Sequence, residues 1–142
     1  MNREIKFRIW DNYTNRFVTC VYETNKDCYL FIGRSGYVTA FNCYGEEIDF
    51  QDGRFIIQQY TGLKDKNGKE IYEGDIVTFK PKSSKGPFWV IRYDSEHTMY
   101  VAKQNDWYVR LDCETDLPLP LKIEETIRVV GNVFENPELI KN

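Results

Sequence analysis

Histidine is nearly missing from this chain: His97 is the only one among 142 residues. Any Ser-His or Cys-His arrangement would have to run through that single side chain. Its setting is the polar turn Asp94-Ser95-Glu96-His97-Thr98, which reads as a solvated turn. Long apolar runs are missing too. No window approaches the roughly 18 consecutive apolar residues of a membrane-crossing helix, and Met1 to Trp10 alternates charge with apolar residues instead of forming a signal-peptide h-region. The expectation is a soluble protein that stays in the cytoplasm. Basic charge is in deficit, with 19 Lys and Arg against 22 Asp and Glu and a formal net charge of −3. The molecule as a whole therefore repels phosphate weakly, and any nucleic-acid binding must be local. Cys20, Cys28, Cys43 and Cys113 include no C-x-x-C pair, so no zinc ribbon or thioredoxin-like centre is indicated and the thiols read as packing groups. Gly33-Arg34-Ser35-Gly36 lacks the P-loop lysine and the following helix, which excludes an ordinary P-loop nucleotidase. Asn12-Tyr13-Thr14 matches a glycosylation acceptor but needs a secretory route, and is discarded.

Aromatic residues are plentiful: 10 Tyr, 9 Phe and 3 Trp, which suit half-buried sheet surfaces better than solvated helices. An all-β fold is expected, with at most short helical turns. Ile5, Phe7 and Ile9 share one face of a period-two pattern and Lys6 and Arg8 the other. Asp11 to Asn15 is turn chemistry before a second run from Arg16 to Tyr22, so the start reads as a hairpin. Further strands follow from Cys28 to Ile32, Tyr37 to Phe41 and Glu46 to Phe50. A turn centred on Asn25 would set Cys20 and Cys28 diagonally on facing strands, where the thiols could approach. Residues 1–58 thus read as a β-meander.

Residues 59–142 read as a small β-barrel. Arg54 to Tyr60 is a strand that could belong to either part. Asn67-Gly68 suits the two positive φ values of a type I′ turn; Asp65-x-Asn67-Gly68 does not meet the ligand spacing of a calcium loop. Gly74 permits a sharp bend before the strand Ile76 to Phe79. Phe88 to Tyr93, Met99 to Ala102 and Trp107 to Leu111 supply further walls. Asp116 to Leu121 carries two prolines and reads as an extended connector, and Glu124-Glu125 opens a helical turn. Ile127 to Phe134 closes the fold with a kink at Gly131, and Asn136-Pro137 caps a short terminal turn. Rings at Phe7, Tyr29, Phe31, Phe55, Phe79 and Tyr93 alternate as core filling for such a thin barrel.

Gln59-Tyr60-Thr61-Gly62-Leu63-Lys64-Asp65-Lys66-Asn67-Gly68-Lys69-Glu70-Ile71-Tyr72-Glu73-Gly74-Asp75-Ile76-Val77 resembles the signature of the YopX family of bacteriophage and prophage proteins. The opening Ile5 to Asp11 and the segment Val130-Gly131-Asn132-Val133-Phe134-Glu135-Asn136-Pro137-Glu138-Leu139 resemble the family's two ends. The resemblance implies a β-rich N-terminal part, an SH3-like small barrel and a phage or prophage origin in the host cytoplasm. It implies no established activity. No cofactor is expected.

Three clusters are candidates for function. Glu73 and Asp75 flank Gly74 and would share a strand face, able to hold a divalent ion or a partner's arginine; the alternative is that one of them caps the turn. Lys80, Lys82 and Lys85 surround Ser83-Ser84 in a loop that ends at Phe88-Trp89, and Lys6, Arg8 and Trp10 lie on one strand face, so cations and stacking rings coincide. Against nucleic acid stand the acidic balance and the common use of lysine to protect sheet edges. The adjacent pairs Glu46-Glu47 and Glu124-Glu125 would point to opposite faces in a strand and read as surface charge. No catalytic residue and no metal ligand is assigned. The expected function is a non-enzymatic interaction module that docks a phage or host protein or a second copy of itself; the alternative is a nucleic-acid-binding accessory protein.

Overall fold

The computed structural model describes residues 4–18, 20–23, 26–32, 38–42, 44–48, 53–80, 85–111 and 126–141. The fold is all-β and antiparallel: each described element is a strand, apart from a 3-10 turn at Pro137–Leu139. The chain divides into two compact units, Phe7–Gln58, and Met1–Lys6 with Gln59–Asn142. The turn at Gly33 to Gly36, the connector Asp116 to Leu121, Glu124-Glu125, Cys43, Cys113 and Lys82 lie outside the described residues.

In the unit Phe7–Gln58, β1 (Phe7–Asp11) pairs with β2 (Arg16–Val18), Ile9 opposite Val18 and Asp11 opposite Arg16. The expected hairpin forms because Asp11 organises its turn. It accepts the Tyr13 N–H at 2.9 Å and the Thr14 hydroxyl at 3.0 Å, and it takes Arg54 Nε at 3.1 Å and Nη2 at 3.2 Å. Arg54 lies 4.8 Å from the Tyr13 ring centroid and 4.9 Å from that of Phe55. The apolar face expected at the start of the chain is buried only at its end: Ile5 is 66% and Phe7 43% exposed, while Ile9 and the adjacent Trp10 are buried. Two adjacent residues are buried because Trp10 packs edge-on to Phe17, centroids 5.1 Å apart.

The run expected from Arg16 to Tyr22 divides into β2 and β3 (Cys20–Glu23). β3 begins a meander with β4 (Lys26–Ile32), β5 (Val38–Asn42) and β6 (Glu47–Ile48). Glu23 pairs with Lys26, a register that differs from the one a turn centred on Asn25 would give. Cys20 therefore pairs with Tyr29 and Cys28 with Val21, which puts the two cysteines on successive rungs.

In the other unit the end of β7 (Phe55–Lys64) pairs with β8 (Glu70–Tyr72). The strand passes through Gly62 at φ +88°, and the ladder shifts register between Tyr60 and Lys64. The Thr61 hydroxyl fills the gap, donating to the Ile71 carbonyl at 2.8 Å and accepting the Leu63 N–H at 3.2 Å. The turn after β7 is not type I′. Only Gly68 is left-handed, at φ +80°, and the Gly68 N–H donates to the Asp65 carbonyl at 2.9 Å. The Asp65 side chain favours this form by accepting the N–H groups of Asn67 and Lys69, each at 2.9 Å.

β9 (Asp75–Thr78), β10 (Trp89–Asp94), β11 (Met99–Gln104), β12 (Trp107–Arg110) and β13 (Arg128–Asn132) form a five-stranded sheet in the order β12-β11-β10-β9-β13, curled into a half-barrel. The kink expected at Gly131 is a register shift between Val129 and Gly131 against β9. Ile71, Val77, Ile91, Tyr100, Ala102, Leu111 and Ile127 form its core. Aliphatic residues dominate where rings were expected: Tyr93 and Phe7 are exposed, and Phe79 is only partly buried. A tightly curled sheet leaves little depth over its central strands, and β-branched residues fill that depth with one χ1 rotamer each.

Candidate functional site

The signature segment places its polar atoms on backbone groups. Asp75, 1% exposed, accepts the Tyr72 N–H at 2.8 Å through Oδ2 and the Asn132 side-chain amide at 3.3 Å through Oδ1. Glu73 is half-buried and its N–H donates to the Gln59 carbonyl at 2.9 Å. Gly74, at φ +82°, donates its N–H to Ile91 at 2.8 Å and accepts that of Val133 at 3.0 Å. Asp65, 5% exposed, reaches the Val129 N–H at 3.0 Å, and the Lys66 N–H donates to the Ile127 carbonyl at 3.0 Å. Residues 61–75 thus fasten the C-terminal strand to the rest of the half-barrel. The geometry at Asp75 is that of a turn cap.

The cationic clusters separate. Lys6 donates to Glu70 at 2.6 Å and pairs with Glu4 at 2.9 Å. The Glu70 carboxylate, then Glu4, raise the lysine well above its ordinary range. Lys6 and the Tyr72 hydroxyl, at 2.9 Å, hold Glu70 below the usual carboxylate range. Arg8 donates to Gln58 at 2.8 Å and lies 4.4 Å from the Phe17 ring centroid. Trp10 is buried, its indole N–H on Asn12 at 3.1 Å. Trp89 is half-buried against the core, edge-on to Phe79 at 5.8 Å. Lys80 and Lys85 are exposed.

The sole histidine is exposed, with Nδ1 2.7 Å from Asp94 Oδ2; that contact holds Asp94 below its ordinary value. Asp94 Oδ1 accepts the Glu96 N–H at 3.0 Å. The ligand atoms of Asp94, Glu96 and His97 lie within 4.8 Å of one another, but the Asp94 oxygens are already engaged in the turn.

The structure assembles a surface that the sequence reading did not single out. Ile91, Ala102 and Val109 face the core on adjacent strands. By alternation, Arg92, Val101 and Arg110 form one rung of the outer face, and Val90, Lys103 and Tyr108 the next. Arg92, Lys103, Tyr108 and Arg110 are all exposed. Beside Lys103 opens a groove of about 460 Å³ lined by Lys85, Pro87, Phe88, Val90 and Leu139. Among the described residues no strand pairs with the far edge of β12, where Trp107 is 75% and Tyr108 55% exposed. Alternation in Trp107-Tyr108-Val109-Arg110 is the signal that carries this face. It is weak because both Trp107 and Tyr108 are aromatic.

A family model described as YopX protein matches residues 6–141. The crystal structure of protein EF1440 from Enterococcus faecalis superposes with a TM-score of 0.60 at 26% identity, covering 99% of this chain and 100% of that one. No curated protein matches the chain.

Proposed function

From the premise that the chain belongs to the YopX family, we propose that it is a non-enzymatic interaction module of a phage or prophage, acting in the host cytoplasm. Its half-barrel is read as an SH3-like small barrel that docks a phage or host protein, or a second copy, along β12. One observation carries this reading: among the described residues β12 is an edge strand, and it bears two large exposed rings, Trp107 and Tyr108. An edge offers unpaired backbone groups for strand addition, and rings beside it supply contact area at low entropic cost. The titratable groups fit a module better than an enzyme. His97 is engaged with Asp94 in an exposed turn, and Asp75 caps backbone.

The test is affinity capture from infected or prophage-carrying cells, with light scattering of the purified protein over a range of concentrations. A defined partner or a dimer that is lost in Trp107→Ser supports the reading. A monomer that recovers nothing above background overturns it, as does a partner that Trp107→Ser retains at full strength.

A further inference from the structure

Beyond the edge of β12, the outer face of the same strands carries exposed Arg92, Lys103 and Arg110 around the buried Val90 and Val101. Arg92 and Arg110 flank Val101 on one rung, and Lys103 sits beside Tyr108 on the next. At strand spacings of about 4.8 Å, Arg92 and Arg110 lie roughly 10 Å apart. Lys85 and Lys103 both line the groove beside Phe88. Among the described residues, Asp94 holds His97 at the end of β10, and Asp106 lies in the turn before β12.

We propose that this face and its groove bind single-stranded nucleic acid. Arg92, Lys103, Arg110 and Lys85 contact phosphates, Tyr108 stacks on one base, and the groove beside Phe88 takes another. Several cations around an exposed ring match a polyanion whose bases are free to stack. A duplex fits less well, because its bases are already stacked and a single flat ring gains nothing from them. The net charge of −3 does not oppose the contact, because neighbouring cations act within about 8 Å at physiological salt while the remoter acids are screened.

Fluorescence anisotropy with a labelled oligothymidylate of about 16 nucleotides tests the proposal. An oligouridylate, a duplex of the same length and a labelled poly-glutamate serve as comparisons, at low and at physiological salt. Single strands are expected to bind, with a log–log salt slope of about −3 for four phosphate contacts. K103E/R110E is expected to weaken binding more than tenfold, Tyr108→Ala about tenfold, and Lys66→Glu, in the exposed turn after β7, not at all. Should K103E/R110E fail to fold by near-UV circular dichroism, Lys85→Glu and Tyr108→Ala decide the question. Failure of the single strands to bind at low salt overturns the proposal. So does binding that these variants leave intact, or equal affinity for duplex or poly-glutamate. None of these outcomes bears on capture of a protein through Trp107.

Discussion

Asp65 shows how much one buried carboxylate can organise. It accepts N–H groups from Asn67 and Lys69 in its own turn and from Val129, 64 residues away. Asp65→Asn keeps one acceptor oxygen but turns an amide donor toward the Val129 N–H. The expected loss is about 1–3 kcal/mol, since a buried donor is left unsatisfied. Asp65→Ala removes both acceptor oxygens, and with them all three hydrogen bonds, and is expected to cost more; urea denaturation measures both. The sequence shows Asp65 as a turn residue and Asp75 as either cap or site. Burial and the distant partners Val129 and Asn132 were not legible, because pairings across 64 and 57 residues leave no local pattern. Lys6 and Arg8 looked like an open cationic face for the same reason, since Glu70 and Gln58 are remote in the chain.

At the scale of the element, strands were legible where apolar alternation and turn residues coincide. β10 and β11 appear within a residue or two of the expected runs, because Asp94 to Thr98 separates them unambiguously. The type of the turn at Asn67-Gly68 was not legible, because Asp65 decides it through side-chain hydrogen bonds that compete with backbone preference. The bulge at Gly131 was visible as a kink, but its cause lies in the segment that follows. A Cβ at Gly131 would stand 2.5 Å from Asn136 Oδ1, and that oxygen accepts the Asn132 N–H at 3.3 Å instead of capping the 3-10 turn. Gly131→Ala is expected to destabilise by about 1–3 kcal/mol. Asn136→Ala in the same chain restores part of that loss, so a double-mutant cycle read by thermal melts shows non-additivity. Purely additive effects would remove the proposed contact.

For the molecule as a whole, composition indicated an all-β chain and an acidic balance, but not where charge concentrates. Arg92, Lys103 and Arg110 are dispersed in sequence and meet only through the register of three strands. Acid sensitivity is also a property of the whole. Asp11, Glu70 and Asp94 are all held below their ordinary values. Burial alone would raise Asp11, but Arg54, the Tyr13 N–H and the Thr14 hydroxyl lower it further than burial raises it. A carboxylate lowered in the folded state binds its proton more readily when unfolded. Its stabilisation is therefore complete above the ordinary value, near pH 4, and is lost as pH falls through the folded value. Thermal melts from neutral to acidic pH are expected to show Tm falling below about pH 4. In Asp11→Asn the melt is lower at neutral pH, and its acid slope is shallower.

The pairing of β13 with β9, and of Asp65 with Val129, also sets a schedule for synthesis. Contacts between distant parts of a chain form late, because loop closure must precede them. While the ribosome is still making residues 79–127, β9 has one flank without its final neighbour, Gly74 lacks Val133, and the Asp65 carboxylate waits for its third amide. A nascent chain stalled in that interval exposes a strand edge in a crowded cell, and only the passage of Val133 out of the exit tunnel allows the half-barrel to be completed.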